Sequence, residues 1–140
     1  MENSRPRWLL AASSLLLLWN LAGVVAFLSQ WTMTARDIAA LPEIQQDMWN
    51  HATAKSWIAY ALAVSTGTLG AVGLLAAKRW ALPLFAISLI AVIVQFTAPY
   101  LLEIATTKDA SIMAFPLFIF AMAIAQTALA WRWTKAGLLA

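Results

Sequence analysis

The sequence predicts an all-α polytopic membrane protein: a single transmembrane domain over residues 1–140, built as an antiparallel four-helix bundle with an outer amphipathic helical loop between helices 1 and 2. Three observations predict it. Hydrophobic residues make up 63% of the 140 and charged residues only 11%, whereas a soluble domain of this size has roughly a quarter of its residues charged. Four apolar runs, Trp8 to Gln30, Trp57 to Ala77, Trp80 to Leu102 and Ser111 to Trp131, each reach the roughly 20 residues a helix needs to cross about 30 Å of hydrocarbon, and none carries an ionisable side chain in its interior. The third is the placement of charge: Arg5, Arg7, Lys78, Arg79, Arg132 and Lys135 flank one side of the spans, while only Arg36, Lys55 and Lys108 flank the other. That excess sets both termini inside. The acids agree, since Glu2 alone falls inside and Asp37, Glu43, Asp47, Glu103 and Asp109 fall outside. Topology thus accounts for the net charge of +3 without a nucleic-acid partner.

The first run follows two arginines as a secretory signal would. Its apolar core exceeds the roughly 7 to 15 residues of a signal h-region and no A-x-A site follows, so it reads as a retained span. Within it, LLLLWNLAGVV sets Trp19 beside Asn20, at a depth of roughly 15 Å from the outer end. Ser13, Asn20, Gly23 and Phe27 share a stripe. The other tryptophans suit interfacial belts, with Trp8, Trp80, Trp131 and Trp133 at the inner boundary, Trp31 and Trp57 at the outer, and Trp49 in the outer loop.

The connection 31–56 reads as helical. Thr34 with Asp37 forms a variant capping box before ARDIAAL, and Pro42 opens PEIQQDMWNHA. In that second helix Ile44, Met48 and Ala52 share one face, so the segment lies on the bilayer or caps the bundle. Glu43, Asp47 and His51 share the opposite face as the chain's only acid-and-histidine cluster. It is a metal or proton site, or a solvated polar face; one His and two carboxylates without a second shell favour the latter. No cofactor is expected.

The second run carries STGTLGAVG, in which Ala63, Gly67 and Gly70 form a small-residue stripe that admits another backbone. Gly67 is level with Asn20, which predicts a close pairing of spans one and two, with Asn20 bonded to a carbonyl or to Thr66. Lys78 and Arg79 form a short turn into span three, whose Pro83 sits in the first helical turn. There Ser88, Ala91, Gln95, Pro99 and Glu103 line one stripe, and Pro99 frees the carbonyl of Gln95. Glu103 reads as an interfacial carboxylate. In span four Pro116 frees the carbonyl of Ile112, and Gln126 lies nearer the inner side, on a stripe with Met122, Ala123, Ala130 and Trp133.

Three carboxamides, Asn20, Gln95 and Gln126, are therefore expected at three depths on three helices. Amides in hydrocarbon must find partners or face a cavity. Either they line a polar path with Trp19, Tyr60, Phe96 and Tyr100, suited to an uncharged hydroxyl-rich solute, or they bond helix to helix, each contributing about 0.5 to 2 kcal/mol. Several classes are disfavoured. Proton-coupled antiport needs an ionisable group inside the membrane; catalysis needs a nucleophile with a base, a phosphate loop or a metal set. The chain has no cysteine, which removes disulfides and thiolate chemistry.

The segments LWNLAGVVAFLSQ, STGTLGAVG with its short basic turn, and ALPLFAISLIAVIVQ resemble a family of small bacterial four-span membrane proteins whose members commonly carry the name sugar transporter. The resemblance implies a bacterial inner-membrane location and a sugar-like solute. Small multidrug antiporters differ in having a mid-membrane Glu, and half-size sugar transporters in having three spans and a Pro-Gln pair. The expected function is a carrier or facilitator for a small neutral solute. It is expected to be a homo-oligomer, because four short helices barely enclose a cavity. The alternative is a non-catalytic accessory subunit that binds a larger membrane protein.

Overall fold

A computed structural model describes residues 5–140; Glu2, placed inside by the charge count, lies outside the described residues. Every regular element among the described residues is helical: α1 (Arg7–Trp31), α2 (Ala35–Ala39), α3 (Glu43–His51), α4 (Ala54–Leu75), α5 (Ala81–Phe96), α6 (Pro99–Thr107), a 3-10 turn (Ala110–Met113) and α7 (Ala114–Lys135). Three helical segments are long and apolar enough to cross a membrane: α1, α4, and α7 together with its 3-10 turn. The bent pair α5 and α6 makes up to a fourth.

Pro6, with its fixed φ, precedes α1, whose 25 residues span about 37 Å. Leu9, Ser13 and Asn20 are its buried residues, while Leu15, Leu18, Val25 and Leu28 point outward. This split matches the stripe read from the sequence. After Trp31 the capping box forms with both bonds, Thr34 N–H donating to Asp37 Oδ2 at 2.9 Å and Asp37 N–H to Thr34 Oγ1 at 3.2 Å. The Thr34 N–H, and after it the Thr34 hydroxyl, hold the Asp37 carboxyl below its ordinary range. α3 then starts directly after Pro42.

α4 is the central helix, packed on both α1 and α5, and small residues permit this. An added Cβ would lie 2.3 Å from Asn20 Oδ1 at Gly67, 2.9 Å from the Phe85 ring at Gly70 and 2.6 Å from the Trp80 ring at Gly73. Each glycine therefore holds space that a neighbour fills. Thr53 caps α4 by accepting from Ser56 N–H at 3.2 Å, so the helix begins at Ala54, three residues before the sequence expectation.

α4 ends in a Schellman motif. Ala77 adopts a positive φ of 55°, its N–H donates to Leu74 O at 3.0 Å, and Lys78 N–H donates to Gly73 O at 2.8 Å. α7 ends in the same way around Gly137, φ 74°, with Leu138 N–H donating to Trp133 O at 3.0 Å. The two ends are joined: Ala140 N–H donates to Ala77 O at 2.7 Å and Arg79 N–H to Ala140 O at 2.8 Å. Arg79 Nε adds a bond to Leu139 O, and the Arg5 guanidinium reaches the carbonyls of Leu75 and Ala76. Leu9, Leu74, Phe85, Trp133 and Leu139 pack together beneath this knot. We call this the turn end and the α2–α3 side the cap end.

The third run departs from expectation. A single helix to Leu102 is predicted, but α5 stops at Phe96 and α6 restarts at Pro99, with a 54° bend between them. The cause is local. Pro99 disfavours the helical region for Ala98, which takes φ −62° and ψ 134°, and proline then opens α6 at its first position. Alone, the 16 residues of α5 span about 24 Å. The fourth run also begins differently, since Pro116 is the third residue of α7. Helical N–H groups there have no intrahelical acceptor, so the expected loss of a mid-helix bond to Ile112 does not arise.

Candidate functional site

At the cap end the helices diverge around a cavity of about 770 Å³. Its floor lies at the depth of Asn20, Ser88 and Gln126, and its roof is the apolar face of α3, with Ile44, Met48 and Trp49 turned inward. The amphipathic segment thus caps the bundle. Trp19, Tyr60, Ala63, Gln95, Phe96 and Tyr100 form further wall. Asp109 is the one Asp, Glu, Lys, Arg or His lining the cavity among the described residues, and its carboxylate accepts from Ser111 N–H at 2.9 Å. The Ser111 hydroxyl, and after it this N–H, hold the Asp109 carboxyl below its ordinary range.

The amides meet differently from the sequence expectation. Asn20 Nδ2 donates to the Leu16 carbonyl of its own helix at 2.8 Å and to Gln126 Oε1 at 3.0 Å. Asn20 and Gln126 therefore share one depth and join α1 to α7, rather than standing at separate levels. Asn20 does rest on Gly67, as its register predicts. Thr66 is not its partner: that hydroxyl donates to Leu62 O at 2.6 Å, and Thr66 is not among the lining residues. Gly67 and Gly70 likewise serve packing. Gln95, half-buried, reaches the cavity without a hydrogen bond among the described residues. Ser88 Oγ donates to Ala63 O at 2.8 Å, tying α5 to α4 at floor level.

Trp19 packs edge-on against Phe118 of α7, with centroids 5.4 Å apart. Along with Asn20–Gln126 and the Trp8–Trp133 contact, this is how α1 meets α7, through side chains. The α1–α4 seam is closed higher up by Phe27, Trp57 and Tyr60, and Gln30 Nε2 donates to Tyr60 Oη at 3.3 Å. Sequence reasoning missed Gln30 as a site residue because it counts there as the end of a span. Its i+3 spacing from Phe27 was the available signal.

The Glu43, Asp47, His51 series does not assemble as a ligand set, and no group of three His, Cys, Asp or Glu able to hold a metal exists among the described residues. Asp47 instead forms an ion pair with Lys108, which follows α6, while His51 Nδ1 lies 2.7 Å from the Asp47 carbonyl and donates to it. The ammonium's bond to Asp47 raises the Lys108 pKa. These groups surround a separate surface pocket of about 100 Å³ with Tyr100 and Glu103. They fasten the cap to α6.

The geometry suits reversible binding of an uncharged molecule: aromatic edges for apolar faces, amides for hydroxyls, and no counter-charge for an ion at the floor. No protein-family model, curated protein or solved structure matches the chain.

Proposed function

We propose that this chain is a bacterial inner-membrane carrier or facilitator for a small neutral, sugar-like solute. In this reading it is an antiparallel four-span bundle with cytoplasmic termini, and α5 with α6 forms one broken span. The observation that carries it is the convergence of Asn20, Gln95, Gln126, Trp19, Tyr60 and Tyr100 on one cavity. Contacts of rising α1 numbers with falling α4 numbers, Asn20 at Gly67 and Gln30 at Tyr60, support the antiparallel order. A neutral solute is favoured because an ion at floor level would be desolvated without a paired charge.

Broken or discontinuous helices beside a mid-membrane site are a recurring arrangement in carriers, since non-helical backbone is tolerated only against protein or a hydrated cavity. The test is uptake of radiolabelled monosaccharides and polyols into proteoliposomes. Saturable uptake abolished by Asn20→Leu and Gln95→Leu, with the detergent-solubilised fold intact, is expected. Unchanged uptake in both variants, or none by the parent protein, overturns the proposal. A stoichiometric partner recovered in mild detergent without any uptake would replace it with the accessory-subunit role.

A further inference from the structure

The amide pair at the floor has a polarity that one group fixes. The Leu16 carbonyl can only accept, so the Asn20 atom 2.8 Å from it is the amide nitrogen. The second proton of that nitrogen goes to Gln126 at 3.0 Å, so the atom it meets is Oε1. Both Nδ2 protons are then used. Asn20 keeps the acceptor Oδ1 and Gln126 keeps the donor Nε2, and neither makes a hydrogen bond among the described residues.

Asn20 is 7% and Gln126 3% exposed, so both side chains are more than nine-tenths buried. No fully enclosed side-chain nitrogen or oxygen lacks a partner among the described residues, so both atoms keep some open surface, even with Asn20 Oδ1 resting on Gly67, and the open surface that both residues share is the cavity they line. An unpaired acceptor and an unpaired donor therefore open together onto its floor. Helix packing alone does not require this, because the bond between α1 and α7 leaves them unused.

Resting on the reading of this cavity as a solute site, we propose that the Asn20–Gln126 pair binds one hydroxyl group of a neutral alcohol or polyol. The hydroxyl donates to Asn20 Oδ1 and accepts from Gln126 Nε2. A hydroxyl does both from a single atom, as the water it would displace does. An ether or ketone oxygen satisfies Gln126 alone and leaves Asn20 unpaired, the arrangement that gives hydrogen-bonding sites their strongest discrimination. Ammonium and carboxylate groups would be desolvated at a floor with no opposite charge. The Trp19 ring, which lines the cavity and is held edge-on by Phe118, offers C–H contact for the carbon bearing the hydroxyl.

The test uses the full chain in lipid nanodiscs with side-chain ¹⁵N-labelled glutamine. The five glutamines give resolvable amide pairs, and Gln126→Met assigns the one in question. Glycerol, xylitol and glucose are titrated alongside their permethylated counterparts, which accept but cannot donate. A saturable shift of the Gln126 amide with at least one polyol is expected, weakened about tenfold or more by permethylation and lost in Asn20→Leu. Gln46, which does not line the cavity and is bonded to Ala39 O and Leu41 O, should remain unmoved.

Equal response to free and permethylated compounds, a shift retained in Asn20→Leu, or no saturable Gln126 shift with any of the three polyols overturns the assignment. The two proposals fail separately. A Gln126 shift without proteoliposome uptake removes the carrier and leaves the hydroxyl site. Saturable uptake with a silent Gln126 amide, and a half-saturation concentration unchanged by Gln126→Met, removes the site and leaves the carrier.

Discussion

The turn end and the cap end are built from the same kinds of residue and reach opposite results. At the turn end, glycines admit rings, Phe85 and Leu74 are fully buried, and two Schellman motifs are laced to each other through the backbone of Ala77, Arg79 and Ala140. At the cap end the rings of Phe27, Trp49, Trp57 and Tyr60 touch one another edge-on or stacked, and Trp49, Trp57 and Tyr60 line a wall instead of filling the space. Small residues opposite large ones give a plug, whereas large residues opposite large ones hold helices apart. Size complementarity, rather than hydrophobicity, separates the close-packed half of this bundle from the half that holds the cavity.

The largest test of that contrast is a truncation at each end. Phe85→Ala should lower unfolding free energy by about 3 kcal/mol or more, because the ring fills space kept by Gly70. Phe115→Ala, at a ring that is 66% exposed beside the cavity, should cost under about 1 kcal/mol. Thermal unfolding in detergent measures both, and equal losses would dissolve the distinction. Next in size is the pair of left-handed cap positions. Ala77→Gly relieves a strained non-glycine φ and should stabilise by about 1 kcal/mol, while Gly137→Ala should destabilise by a similar amount. A neutral result at Ala77 would mean that its Cβ packing offsets the backbone strain.

The smallest effect concerns the cap. Lys108→Met removes the ion pair with Asp47 and should raise amide exchange in α3 without moving the global melting temperature. An exposed pair contributes little to stability. Its pH dependence has a definite sign: the Lys108 pKa is raised in the fold, so the contribution is complete below the ordinary lysine value of about 10.4 and is lost as pH rises through the higher folded value. Exchange in α3 that grows between pH 7 and 9 through loss of this lysine's proton would contradict that.

Much of this was legible in the sequence. The apolar runs, the capping box at Thr34 and Asp37, and the level meeting of Asn20 with Gly67 follow from hydropathy, side-chain chemistry and helical rise, which are local quantities. What was not legible depends on rotation and partner choice between distant helices. Asn20 faces α7 as well as α4, and no periodicity within α1 says which neighbour will offer Gln126. The break before Pro99 was half-visible: a proline announces a lost hydrogen bond, but whether the chain bends or breaks depends on what packs beside it. Here the cavity lies beside Gln95 and Phe96, so nothing straightens the helix. Gln30 was hidden for a related reason, since a residue at the end of a span joins the site only if something folds over it; the apolar face of α3 was legible, and only the choice between bilayer and bundle was not.

The interruption at Thr97 and Ala98 also bears on electrical behaviour. Carbonyls at the end of α5 lack helical acceptor bonds and, in a bilayer, need water or protein around them, and the adjoining cavity supplies a route for water down to Asn20. Water at that depth carries the potential of its own side inward. In a polarised membrane most of the voltage then falls across the short plug of Leu9, Leu74, Phe85 and Trp133, at about 2.3 kcal/mol per elementary charge for each 100 mV. An ion attempting that last stretch would meet the whole field in half the usual thickness. An uncharged molecule held in the cavity would feel no net force from that field.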